Sequence, residues 1–147
     1  MGTSCDDTLT LQTAGTAVSL QGVAFDAIAS FDGADGNDTI VGTGGNDVFQ
    51  VSGTGAGQVS QINGVALATA LGLQDVENLD GAAGNDRFAF NNGVSSTAVN
   101  IDGGNGAADT LDFSAYTSNF SVDLSAVGTG IEVVNGSTIS TVSTLLG

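Results

Sequence analysis

Apolar and polar positions alternate along most of the chain. Thr8-Leu9-Thr10-Leu11, Val18-Ser19-Leu20 and Val23-Ala24-Phe25 carry the alternation near the start. A period of two sends successive side chains to opposite faces of a half-buried strand. Further on, the alternation restarts at a fixed offset after an aspartate. Phe49 and Val51 follow Asp47, Phe88 and Phe90 follow Asp86, Leu111 and Phe113 follow Asp109, and Ile40 follows Asp38. Residues two and four places beyond the aspartate share one face of a strand, so they are the expected core. Only Leu67 to Leu73 admits a short helix. The pattern predicts an all-β chain of short strands.

Each restart is preceded by a glycine turn. Asp32-Gly33-Ala34-Asp35-Gly36-Asn37-Asp38-Thr39-Ile40-Val41 runs directly into Gly42-Thr43-Gly44-Gly45-Asn46-Asp47-Val48-Phe49-Gln50. From Gly33 and again from Gly42 the chain reads Gly-x-x-Gly-Asn-Asp-x-apolar-x. A third unit starts at Gly81, with Gly84, Asn85, Asp86 and Phe88 in the same places. A fourth starts at Gly103, with Gly104 and Gly106 and one extra residue before Asp109. Such a unit cannot bury its apolar side alone, so its neighbours must stack on it.

Longer echoes pair Ile28–Gly33 with Val76–Gly81 and with Ile131–Gly136, and Val18–Phe25 with Val59–Leu67. The turns order into two series, Gly15, Gly33, Gly55, Gly81, Gly103, Gly128 and Gly22, Gly42, Gly64, Gly93, a turn near Ser118, Gly136. Steps of about twenty residues within a series match a coil of two strands and two turns. The expected architecture is a parallel β-solenoid, a β-roll or β-helix, of about six coils. Strand spacing makes the stack about 30 Å long. The two tandem units then lie on opposite edges of one coil. Residues 1–7 read as an N-terminal tail. Residues 8–147 read as one solenoid domain, either a fragment of a longer array or a subunit that stacks through open ends.

Charge narrows the chemistry. The 147 residues carry a net charge of −15, with Arg87 the single basic residue and no histidine. A nucleic-acid surface needs clustered Lys and Arg, and an anionic membrane would repel this chain. No apolar run reaches transmembrane length, and no signal peptide is visible. The partner that such charge invites is a cation. Eight of the 16 acidic residues, Asp32, Asp35, Asp38, Asp47, Asp80, Asp86, Asp102 and Asp109, sit in or beside the glycine turns. Asp and Asn are also ordinary turn formers. Calcium takes six to eight oxygen ligands from carboxylates and carbonyls, and a glycine turn closed by aspartate offers both.

The repeated units resemble the haemolysin-type (RTX) calcium-binding nonapeptide, Gly-Gly-x-Gly-x-Asp-x-apolar-x. Gly33, Gly36, Asp38 and Ile40 match it, as do Gly42, Gly45, Asp47 and Phe49, and Gly81, Gly84, Asp86 and Phe88; Ala34, Thr43 and Ala82 depart at the second glycine. The units cover about a quarter of the chain, and their dispersal is similar to the degenerate β-solenoid segments of large secreted bacterial adhesins. The resemblance implies calcium between stacked turns, held by Asp38, Asp47, Asp86 and Asp109 and by loop carbonyls. The coil order pairs Asp86 with Asp109. It stacks Asp38 on the turn at Gly53–Gly57 and Asp47 near Gly64, where no acid stands.

The expected function is therefore a calcium-binding structural segment of an extracellular or cell-surface protein, of adhesin or spacer type. The alternative is a self-assembling subunit of an extracellular filament or surface layer. Catalysis has little to stand on, with no histidine or lysine to serve as base. Cys5, the single cysteine, permits no intrachain disulfide and leaves a free thiol or an intermolecular link.

Overall fold

The computed structural model describes residues 2–12, 18–20, 23–25, 29–53, 55–91, 100–106, 108–115, 131–135 and 138–142. The strands are β1 (Thr8–Leu11), β2 (Val18–Leu20), β3 (Val23–Phe25), β4 (Ser30–Asp32), β5 (Thr39–Val41), β6 (Val48–Gly53) and β7 (Ala56–Ile62). They continue as β8 (Val65–Gln74), β9 (Asn78–Asp80), β10 (Arg87–Phe90), β11 (Asn100–Asp102), β12 (Thr110–Asp112), β13 (Ile131–Asn135) and β14 (Thr138–Val142). No helix occurs among the described residues, and Leu67 to Leu73, the stretch that admitted one, lies within β8. The protein is all-β.

Two sheets form. One has the order β11-β9-β5-β1-β2-β3, the other β14-β13-β12-β10-β6-β7-β8-β4. Parallel pairing joins β1, β5, β9 and β11 in the first sheet and β6, β10, β12 and β13 in the second. The chain passes from β4 in the second sheet through β5 in the first to β6 in the second. The tandem turns, Gly33–Asp38 and Gly42–Asp47, thus lie on opposite edges.

The sheets are mixed rather than uniformly parallel, because the chain folds back antiparallel through β1-β2-β3, β6-β7-β8 and β13-β14. The β7–β8 reversal has a local cause. Asn63 and Gly64 have φ of 48° and 77°, and Ile62 pairs with Val65 across them. An Asn-Gly pair with both φ positive is the two-residue hairpin turn whose twist suits antiparallel strands. Gly64 therefore closes a hairpin instead of turning a solenoid corner, and Gly55 (φ 61°) sits in the preceding reversal. This displaces the expected turn series by one edge from Gly55 onward. The turns expected at Gly15, Gly22, Gly93, Ser118, Gly128 and Gly136 lie outside the described residues.

Register stacks like on like. Leu9, Ile40, Leu79 and Ile101 form one buried rung through the first sheet. Phe49, Phe88 and Leu111 form another through the second, with Val51 beside Phe90. The Phe49 and Phe88 rings stack with centroids 5.0 Å apart. Both rungs belong to one apolar cluster. The expected core residues Ile40, Phe49, Val51, Phe88, Phe90 and Leu111 are buried, while Phe113 is half-buried and stacks on Phe90.

Residues 2–7 do not form a tail. Gly2 donates its N–H to the Asp32 carbonyl, and Asp7 is 1 % exposed. Gly2–Asp7 is a further turn, stacked on Gly33–Asp38.

Candidate metal centre

An aspartate just before a parallel strand has an N–H directed along the stack, towards the next turn. Each turn supplies the acceptor for its neighbour. On one edge, Asp7 N–H donates to Asp38 Oδ1 at 2.8 Å, and Asp38 N–H donates to Glu77 Oε2 at 2.8 Å. On the other, Asn63 N–H donates to Asp47 Oδ1 at 2.8 Å, Asp47 N–H to Asp86 Oδ1 at 2.8 Å, and Asp86 N–H to Asp109 Oδ1 at 3.0 Å. Two carboxylate ladders thus run along the two edges. The neighbouring asparagine adds a parallel row. Asn85 N–H donates to Asn46 Oδ1 at 2.9 Å, and Ala108 N–H to Asn85 Oδ1 at 3.2 Å. In the Asn46-Asp47 and Asn85-Asp86 pairs each member caps a backbone N–H on an adjacent turn.

The first glycine of each turn makes room for the closing carboxylate. A Cβ on Gly42 would lie 2.7 Å from Asp47 Oδ2, and one on Gly103 would lie 2.6 Å from Asp109 Oδ2. A Cβ on Gly81 would strike Asp86 Oδ2 and stand 2.7 Å from the Gly103 carbonyl oxygen. The Asp86 carboxylate is held through its other oxygen, Oδ1, by the Asp47 N–H, and the second obstacle is backbone. Gly81→Ala is expected to destabilise the protein by about 1–3 kcal/mol, the usual cost of overpacking, measured by urea unfolding. A loss below about 0.5 kcal/mol, the surface-substitution range, would show that the turn relaxes freely.

Oδ2 distinguishes the turns. Asp38, Asp86 and Asp109 each bury this oxygen without a hydrogen-bond partner. The side chains are 0 %, 1 % and 5 % exposed. Burial pushes all three carboxyls above their ordinary value, and Asp86 reaches about 7. The N–H that each accepts offsets part of this, while neighbouring carboxylates add to it: Asp47, Asp109 and Asp80 around Asp86, Glu77, Asp7 and Asp6 around Asp38, and Asp102 beside Asp109. No basic side chain relieves them. Arg87, the chain's single cation, is paired with Asp112. Burial alone would raise Asp112, but hydrogen bonds from Ser114 and Arg87 outweigh it and hold the carboxyl below its ordinary value.

Asp86 and Asp109, the expected pair, are adjacent rungs. Asp47 joins them on the same edge and meets Asn63, next to Gly64, on its other side. Asp38 does not stack on Gly53–Gly57; its rungs are Asp7 and Glu77. Asp32, Asp80 and Asp102 accept the N–H of Ala34, Ala82 and Gly104 in tight turns at 3.2, 2.8 and 2.9 Å. Asp35 lies exposed on the outer bend. Asp7 and Glu77 escaped the sequence reading. For Asp7 a signal existed: Gly2-Thr3 and Asp7-Thr8-Leu9 parallel Gly42-Thr43 and Asp38-Thr39-Ile40. Glu77 has no glycine turn before it.

Among the described residues no group of three or more His, Cys, Asp or Glu side chains converges as a metal cage. The donors that fit a hard cation are instead the three unpartnered Oδ2 atoms, spaced along the ladders, with turn carbonyls beside them. The Gly103 carbonyl and Asp86 Oδ2 flank the Gly81 Cα, and the Asp75 carbonyl and Asp38 Oδ2 flank the Gly33 Cα. No family model, curated protein or solved structure matches the chain.

Proposed function

We propose that this chain is a calcium-binding structural segment of an extracellular or cell-surface protein, of spacer or adhesin type, whose parallel strands form a β-roll core carrying inserted hairpins. One observation carries the reading: three buried carboxylate oxygens among the described residues lack a partner, and the chain's single basic residue is engaged elsewhere. A buried carboxylate needs either a proton or a counter-charge, and here the counter-charge that keeps it ionised would come from solution. Asp38, Asp86 and Asp109 would supply the charged ligands, with turn carbonyls and water completing the shell. Calcium accepts such irregular oxygen sets, whereas magnesium demands near-ideal octahedral geometry. The bound ion would supply positive charge between turns and so stiffen the stack. The role is mechanical, and no reaction is assigned to the protein.

Calcium titrated into the metal-stripped chain is expected to strengthen the far-ultraviolet β signal saturably, with light scattering flat and magnesium much less effective. Equal responses to both ions would mean general charge screening. Scattering that rises with protein concentration would favour the filament subunit instead.

A further inference from the structure

Among the described residues, the glycine turns closed by an aspartate fall into two kinds, separated by the residues that flank the first glycine. In the turns closed by Asp38, Asp86 and Asp109, an aspartate precedes that glycine. Asp32, Asp80 and Asp102 accept the N–H of the residue following it. That residue is Ala34, Ala82 or Gly104, with φ of 70°, 68° and 78°. Its N–H is thereby engaged by the preceding aspartate, and the closing Oδ2 is left buried and bare.

In the turns closed by Asp7 and Asp47, the glycine follows Met1 and Val41 in the sequence, and threonine comes next. Thr43 donates its N–H to Asp47 Oδ2 at 2.6 Å, and its hydroxyl lies 2.9 and 3.0 Å from the two Asp47 oxygens. Thr3 donates its N–H to Asp7 Oδ2 at 2.5 Å. Threonine thus fills from within the donor position that the other turns leave vacant.

We infer that these flanking positions decide which turns take a cation: Asp-Gly-Ala and Asp-Gly-Gly turns bind, and Gly-Thr turns are closed by their own threonine and do not. The inference rests on the proposed calcium binding. A cation entering the Asp47 turn must displace two donors already aimed at the carboxylate. In the Asp86 turn it displaces none, and Asp80 adds a second carboxylate to the same turn. Charge alone does not separate the two kinds, since Asp47 and Asp86 are consecutive rungs of one ladder.

Isothermal titration calorimetry of calcium into the full chain tests this, with circular dichroism reporting the fold of each variant. Val41→Asp/Thr43→Ala converts the Asp47 turn to the open kind and is expected to add a bound ion per chain. Asp80→Val/Ala82→Thr converts the Asp86 turn to the closed kind and is expected to remove one. Thr43→Ser keeps both donors and leaves the stoichiometry unchanged. If Asp80→Val/Ala82→Thr misfolds, the gain in Val41→Asp/Thr43→Ala decides alone. Wild-type binding with no gain in a folded Val41→Asp/Thr43→Ala variant overturns the selection rule and leaves calcium binding standing. No binding by the wild type overturns both.

Discussion

Calcium added to the metal-free protein is expected to raise its unfolding free energy by about 5 kcal/mol when the free ion is 100-fold above Kd. The magnitude follows from linkage: a ligand that binds only the folded state contributes about 2.7 kcal/mol per site at that excess. The rung at Asp38 lies on one edge and the Asp86–Asp109 pair on the other, so the proposed binding comprises at least two independent sites. The unfolded chain holds its carboxylates far apart in water and competes poorly for the ion. Chemical denaturation with and without chelator measures the difference, and a shift below about 1 kcal/mol would place the affinity too low for a stiffening role. Asp86→Asn tests the assignment. Asparagine still accepts the Asp47 N–H through its oxygen but loses the charge, so this variant should lose the Asp86–Asp109 share of the calcium effect.

Acid is expected to stabilise the metal-free protein between about pH 7 and pH 4, by up to about 4 kcal/mol. The sign is opposite to ordinary acid denaturation. Asp86 has a folded pKa of about 7 against an ordinary 3.8. A group raised on folding contributes its stability fully below the unfolded value and loses it as pH rises through the folded one. Asp38 and Asp109 are raised as well and act in the same direction. Asp112 is lowered, so its contribution is lost only below the ordinary carboxylate range. Saturating calcium should flatten or reverse the trend, since ion and proton compete for the same oxygens. Melting temperatures across this window, with and without calcium, read both slopes. A metal-free protein that weakens steadily from pH 7 to pH 4 would show that the buried carboxyls are solvated or partnered.

The strand class was legible from period-two alternation, and so was the core. Phe49, Phe88 and Leu111 share a rung because each follows its aspartate by two places, and the same offset fixes their register in a parallel stack. The Asp86–Asp109 rung was legible for the same reason. Glycine serves two different kinds of turn in this chain. Asn63-Gly64 resembles a corner of the repeat, yet two positive φ values make it a hairpin. The preceding reversal at Gly55 and this hairpin insert antiparallel strands, so Asp47 joined Asp86 and Asp38 moved to the other edge. Spacing alone does not separate a corner from a reversal; the flanking Ile62 and Val65, paired across the turn, do. The two kinds of turn were written in the sequence at Asp32, Asp80 and Asp102 against Val41. Their meaning depends on which way one N–H points, and that requires the backbone.

The most direct measurement is a crystal structure of the calcium-soaked protein with anomalous data. The account predicts anomalous peaks about 2.3–2.6 Å from Oδ2 of Asp86 or Asp109 and from Oδ2 of Asp38, the usual calcium–oxygen distance, and none at Asp47. Well-ordered ladders with no peak at any of these oxygens would contradict it.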